Sequence, residues 1–356
     1  MAVAERNERV KEIISGWLEE AEAIVESGQL PDVDDDLRQT LEQLIPISVM
    51  GFRGIPMVAM VGIELDETYV PLPGFYACNP RPLFEEGIHG VLQEHKIPCG
   101  KSDPLNVAKN SDLTEEWARG KRPESAALAV LKFLRNYIDN PNDRARLRRA
   151  FFVRLIQYRD QIAETTVVQP EIEGESNGAL ATKLIKFALE FPEAGAVPQF
   201  LVGAILEVIH KSSELCVCGA DESVFGTNTT GKKPADIWLE RDGAVESLFE
   251  VTVKVVNKKR LTDSVEALFA MNLKDLPLTF VCRIPEDTRS LELDESGSIE
   301  ISGKQVDFVD FGSFIRSQLS VLSRSASEAL TVRLSEFVND HNRKEKTRQG
   351  WNEIFS

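Results

Sequence analysis

Residues 231–256 read GKKPADIWLERDGAVESLFEVTVKVV, and the spacing inside this stretch decides how the rest of the chain is read. Residues 235–240 alternate Ala235, Ile237 and Leu239 with Asp236, Trp238 and Glu240. Arg241-Asp242-Gly243 carries the chemistry of a hairpin turn. Residues 249–255 then alternate strictly, with Phe249, Val251, Val253 and Val255 on one side and Glu250, Thr252 and Lys254 on the other. The spacing predicts two neighbouring strands. Glu250 and Lys254 share a face of the second, and Asp236 opens the first behind Lys232-Lys233-Pro234.

That grouping suits phosphodiester chemistry. Two carboxylates converging from adjacent strands offer oxygen ligands to Mg²⁺. The metal polarises a phosphoryl oxygen and acidifies a bound water. A nearby ammonium orients that water or steadies negative charge as it builds. An ordinary amphipathic hairpin with a solvated outer face fits the same alternation.

The pairing of Pro234-Ala235-Asp236 with Glu250-Val251-Thr252-Val253-Lys254 resembles the active site of the PD-(D/E)XK nuclease superfamily, to which most type II restriction endonucleases belong. It departs from that pattern twice. Ala235 separates the proline from the aspartate, and Thr252 stands at the usual lysine position, with Lys254 one pleat further along the same face. The elements expected from residue 199 onward run helix, strand, strand, strand, helix, strand, which is similar to the αβββαβ core of the superfamily. In length, and in combining PLNVAK with ADI and FEVT, the chain also resembles SacI-type restriction endonucleases.

The resemblance implies an α/β fold, with a mixed sheet flanked by helices in the C-terminal half. It implies Mg²⁺ held by Asp236 and Glu250, with Lys254 positioning or activating water. In many families of the superfamily a glutamate on the first core helix joins the metal site. Glu207 is the acid in the middle of that helix here, and a solvated helix glutamate fits the same position. The implied activity is site-specific cleavage of double-stranded DNA. Cutting a palindrome needs two active sites about a twofold axis, hence a homodimer. Thr252 in the lysine's place leaves room for a nuclease-like module that binds DNA without cutting it, and a nuclease for modified DNA would have the same core.

The 356 residues allow two domains, expected at 1–165 (mainly helical, DNA recognition) and 178–356 (nuclease core), around the acidic, Pro- and Gly-containing stretch 165–178. The N-terminus lacks the pattern of a signal peptide, and the most apolar region, 45–65, is interrupted by Pro46, Arg53, Gly54 and Pro56. No membrane association is expected. The five cysteines form no CxxC pair and read as free thiols of a reducing cytoplasm. The histidines, His89, His95, His210 and His341, are spaced unlike the ligands of a zinc hydrolase.

The net charge of −16 opposes nucleic-acid binding unless it is unevenly spread. Residues 119–159 hold eleven Lys or Arg against three acids, a net +8. This island, including Arg144, Arg148 and Arg149, reads either as a phosphate footprint or as a solvated helix face paired with acidic neighbours. Lys101, Asn106 and Lys109 lie in a turn-rich stretch whose amides and cations suit base edges and phosphates, or simply a packed connector. Asn228, Lys232 and Lys233, in the loop before the hairpin, are further phosphate candidates. Elsewhere the pattern predicts small strands and loops over 45–82 and one long amphipathic helix over 314–339.

Overall fold

The computed structural model describes residues 3–165, 167–220 and 233–356. The chain divides into two compact units, Met1–Thr165 with His341–Arg343, and Thr166–Asp340 with Lys344–Ser356.

The first unit is helical. Its principal helices are α1 (Val3–Ser27), α2 (Asp35–Leu44), α3 (Gly51–Leu65), α4 (Asp103–Ala108), α5 (Glu124–Asp139) and α6 (Arg144–Ala163). The three consecutive aspartates open α2: Asp34 caps it by accepting the Leu37 N–H, and Asp35 and Asp36 occupy its first turn. Helix α3 corrects the expectation of strands and loops over 45–82. All its residues from Gly51 to Ile63 are buried, so no polar face marks a helical period. Its glycines serve close packing rather than turns. A Cβ on Gly51 would meet the Asp103 carbonyl oxygen at 2.2 Å, and one on Gly54 would meet Pro104 at 2.3 Å. Buried Arg53 donates to the Ile45 and Ile47 carbonyls at 2.8 and 3.2 Å, just beyond the end of α2.

The second unit is α/β. It contains α7 (Asn177–Glu190), α8 (Ala196–His210), α9 (Lys258–Ala270), α10 (Phe311–Ser320), α11 (Arg324–Asn339) and α12 (Glu345–Phe355). Its strands are β1 (Cys216–Cys218), β2 (Ile237–Arg241), β3 (Ala244–Val251), β4 (Leu278–Cys282), β5 (Ser298–Ile301) and β6 (Lys304–Asp310). They form one mixed sheet in the order β1-β2-β3-β4-β6-β5. β1, β2 and β3 pair antiparallel, β3, β4 and β6 run parallel, and β5 returns antiparallel to β6. Parallel strands require crossovers, and α9 supplies the one from β3 to β4.

One sheet face packs against helices on the other side of Ile237, Val251 and Val281, with Phe200, Ile205, Phe311 and Ile315 in that core. The opposite face is covered by α9, through Leu261, Val265 and Leu268 against Leu248, Leu278 and Phe280. Trp351 of α12 is fully buried and donates its indole N–H to the Val168 carbonyl at 2.8 Å. The long helix expected over 314–339 is two helices. The chain breaks at 321–323, and Ser323 caps α11 by accepting the Ala326 N–H. Among the described residues no single helix is long and apolar enough to cross a membrane.

Gly203 fixes how closely α8 approaches the end of β1, because a Cβ there would stand 2.2 Å from that of Ala220. Gly203→Val is expected to cost about 1–3 kcal/mol through overpacking. Urea denaturation measures this, as a lowered midpoint with an unchanged slope.

Candidate active site

The three parallel strands end together at Val251, Cys282 and Asp310. β2 runs the other way, so the residue before it, Asp236, lies at that same end. Ile237 stands opposite Phe249, and one step outward the register brings Asp236 level with Glu250. In open α/β sheets this end, beyond the strand carboxyl termini, is where ligands bind.

Asp236 and Glu250 come together there, on the sheet face covered by α9. The Val251 N–H donates to Asp236 Oδ2 at 3.0 Å, and the Asp236 carboxyl lies within hydrogen-bonding reach of Glu250. Glu250 is only 5% exposed. Burial pushes the Asp236 carboxyl above the ordinary carboxylate range, while the Val251 N–H and the charges of Arg260 and Lys233 pull it back. Two buried carboxyl groups this close resist ionising together. They fit a divalent cation, since hard oxygen donors with surplus negative charge are what Mg²⁺ or Ca²⁺ takes. Among the described residues no cluster of three or more His, Cys, Asp or Glu side chains is set to hold a metal.

The cation beside this pair is not the expected one. β3 stops at Val251, before Lys254. Arg283 takes hold of the chain beyond, donating to the Val253 carbonyl while buried Asp287 pairs with it at 3.0 Å. Asp287 also accepts the Val256 N–H on its carbonyl at 2.7 Å. The alternation of 249–255 is therefore broken: Val255 is 45% exposed and Val256 is buried. The Lys254 side chain is exposed and makes no ion pair with a described residue. Arg260, in the first turn of α9, fills the place instead. It donates to Thr252 Oγ1 at 3.0 Å and approaches Glu250 Oε2 to 3.8 Å. Asn257 positions it by capping the helix through the Arg260 N–H at 2.9 Å.

Glu207 is elsewhere. Its carboxylate lies 3.6 Å from Arg333 of α11. The residue of α8 that reaches the site is Gln199, two turns or about 12 Å earlier along the helix. It is 3% exposed and donates Nε2 to the carbonyls of Gly219 at 2.8 Å and Asp236 at 3.3 Å. Gly219 has φ +87°, and a Cβ there would lie 2.3 Å from the Asp236 carbonyl oxygen. Gln199 thus ties the end of β1 to the start of β2 and sets the position of Asp236.

Of the remaining candidates, Lys233 is near enough to act on Asp236, whereas Asn228 and Lys232 lie outside the described residues. The basic island sits in the first unit and is largely committed there. Arg148 and Arg149 both bind Glu20, at 2.8 and 2.6 Å, Arg154 binds Glu42 and Arg159 binds Glu22. Arg144 donates to the Tyr137 carbonyl at 3.0 Å. Of its two readings, the helix face paired with acidic neighbours is the one these contacts describe. Lys101 lies exposed on a turn. Asn106 and Lys109 line a cavity of about 610 Å³ with Tyr76, Asn79, Arg81 and Asn110.

No protein family matches the chain, and no curated protein matches it.

The raised Asp236 carboxyl fixes a sign. The unfolded aspartate ionises near its ordinary value and the folded one later, so stability falls as pH rises between the two. Asp236→Asn removes that loss. In EDTA at neutral pH the variant should melt at a higher temperature than the parent, and the gain should vanish below about pH 3, where the parent carboxyl is protonated in both states. Thermal melts across pH measure it.

Proposed function

We propose that the chain is a Mg²⁺-dependent endonuclease of the type II restriction kind, cutting double-stranded DNA at specific sites. The observation that carries this reading is the meeting of Asp236 and Glu250 at the carboxyl end of the sheet, with the Arg260 guanidinium beside them. The order of elements from α8 to β4 supports assigning this unit to the PD-(D/E)XK core: helix, three-stranded antiparallel meander, helix, and a strand parallel to the third.

In this reading Asp236 and Glu250 hold the metal, and the Val251 N–H and Gln199 fix where the aspartate stands. When bound, the metal supplies Lewis-acid polarisation of the scissile phosphoryl group. Arg260 takes over the charge stabilisation expected of a lysine. Its planar fork can serve Thr252 and a phosphate oxygen together, and arginine side chains in general do not serve as proton acceptors. Arg260 therefore orients and steadies charge but does not act as a base. Glu207 has no part in the chemistry, and Lys254 lies outside it.

A second reading is a nuclease-like module that binds DNA and does not cut it. Thr252 at the lysine position and the exposed Lys254 favour it. Digestion of unmodified phage DNA separates the two. The proposal expects discrete bands with Mg²⁺ and none with EDTA, abolished by Asp236→Ala. Arg260→Ala should slow cutting by about 10²-fold or more, as loss of a charge-stabilising donor does, with partial recovery in Arg260→Lys. Binding without cutting on several DNAs, with Mg²⁺ and Mn²⁺, would support the second reading. Full activity in Asp236→Ala would remove both site and mechanism.

A further inference from the structure

Most cations of the basic island pair with acids, among them Arg148 and Arg149 with Glu20, Arg154 with Glu42 and Arg159 with Glu22, yet a phosphodiester backbone needs cations that are not so engaged. The second unit has them beside the carboxylate pair. Between the end of β3 and the first turn of α9 the chain reads VKVVNKKR, residues 253–260. Lys254, Lys258 and Lys259 are all exposed. None makes an ion pair with a described residue, although Asp263 lies one turn beyond Lys259 on the same helix. Arg260, next in sequence, turns inward to Thr252 and Glu250. The segment thus joins three outward lysines to an inward arginine at the candidate catalytic pair.

The backbone around these lysines is fixed. Arg283 holds the Val253 carbonyl, Asp287 holds the Val256 N–H, and Asn257 caps α9. The first turn of α9 contains no acid, and its three cations oppose the helix dipole. In a protein of net charge −16, a polyanion lying across them offsets that opposition.

We infer that residues 254–260 are the phosphate footprint of the protein, with Lys254, Lys258 and Lys259 gripping the backbone of duplex DNA and leading it to Arg260 at the carboxylate pair. The inference rests on the proposed nuclease reading for its choice of DNA. It moves the main electrostatic contact away from the arginines of α6, and it gives Lys254 a role in binding rather than in chemistry. Phosphate contacts are independent of sequence, so no knowledge of a recognition site is needed to test it.

The test is the salt dependence of binding by the full chain, in EDTA, to a mixed-sequence duplex of about 30 base pairs, for which the logarithm of the association constant falls by about 0.9 per neutralised phosphate for each decade of salt. The triple variant Lys254→Gln, Lys258→Gln, Lys259→Gln should flatten this slope by about 2–3, whereas Arg148→Gln with Arg149→Gln should leave it within about 0.5. The three lysines are exposed, so the triple variant should fold, which a thermal melt checks. An unchanged slope in the folded triple variant, or a flattened slope in the α6 variant alone, would overturn the footprint. So would binding confined to RNA, or no duplex binding by the parent at low salt. Normal binding and slopes with no Mg²⁺-dependent cutting would leave the footprint standing and remove the endonuclease reading.

Discussion

Two carboxyl groups brought together at the buried end of a sheet are the constraint to which the second unit answers. Negative charge is costly away from water, and doubly so when a second acid stands beside it. The Val251 N–H, the Arg260 guanidinium and the Lys233 ammonium each offset part of that cost, yet the Asp236 carboxyl stays above its ordinary range. A structure maintained only for stability has no reason to keep such a pair. Hydrophobic residues of similar size would be cheaper. A divalent cation bound between them, as proposed above, would offset that cost.

The surrounding architecture works to keep the two groups in register. The β2–β3 pairing sets Asp236 opposite Glu250. Gln199 and the left-handed Gly219 fix the approach to β2. The Arg283–Asp287 pair draws the chain away after Val251, which clears the strand end and lets α9 start where Arg260 can reach back. The same turn of chain leaves Lys254, Lys258 and Lys259 outside, facing solvent. One local departure from strand geometry thus separates an inner cation beside the carboxyl pair from outer cations that face solvent.

Much of this was legible in residues close together in the chain. Alternation and turn chemistry located the hairpin, and with it Asp236 and Glu250 as neighbours. The same alternation misled beyond Val251. Val253 and Val255 continue the apolar rhythm, but the contact that ends the strand comes from Arg283, about thirty residues on. Arg260 was illegible for a related reason: a helix side chain reaching back to a strand leaves no periodic trace. Gln199 left only a faint signal, one amide in an otherwise apolar helix start. The acidic partners of the α6 arginines could not be read locally, because Glu20, Glu22 and Glu42 stand more than a hundred residues earlier. Helix α3 hid because burial on every side erases the polar face from which a helix is read.

The central claim is that Asp236 and Glu250 form a divalent-cation site, and thermal melting with added metal tests it without any DNA. Mg²⁺, or Ca²⁺ in its place, should raise the melting temperature of the parent at neutral pH, by the usual linkage of ligand binding to folding. The shift should be lost in Glu250→Gln and in Asp236→Asn. A parent that melts at the same temperature with and without metal, or variants that keep the full shift, would contradict the account.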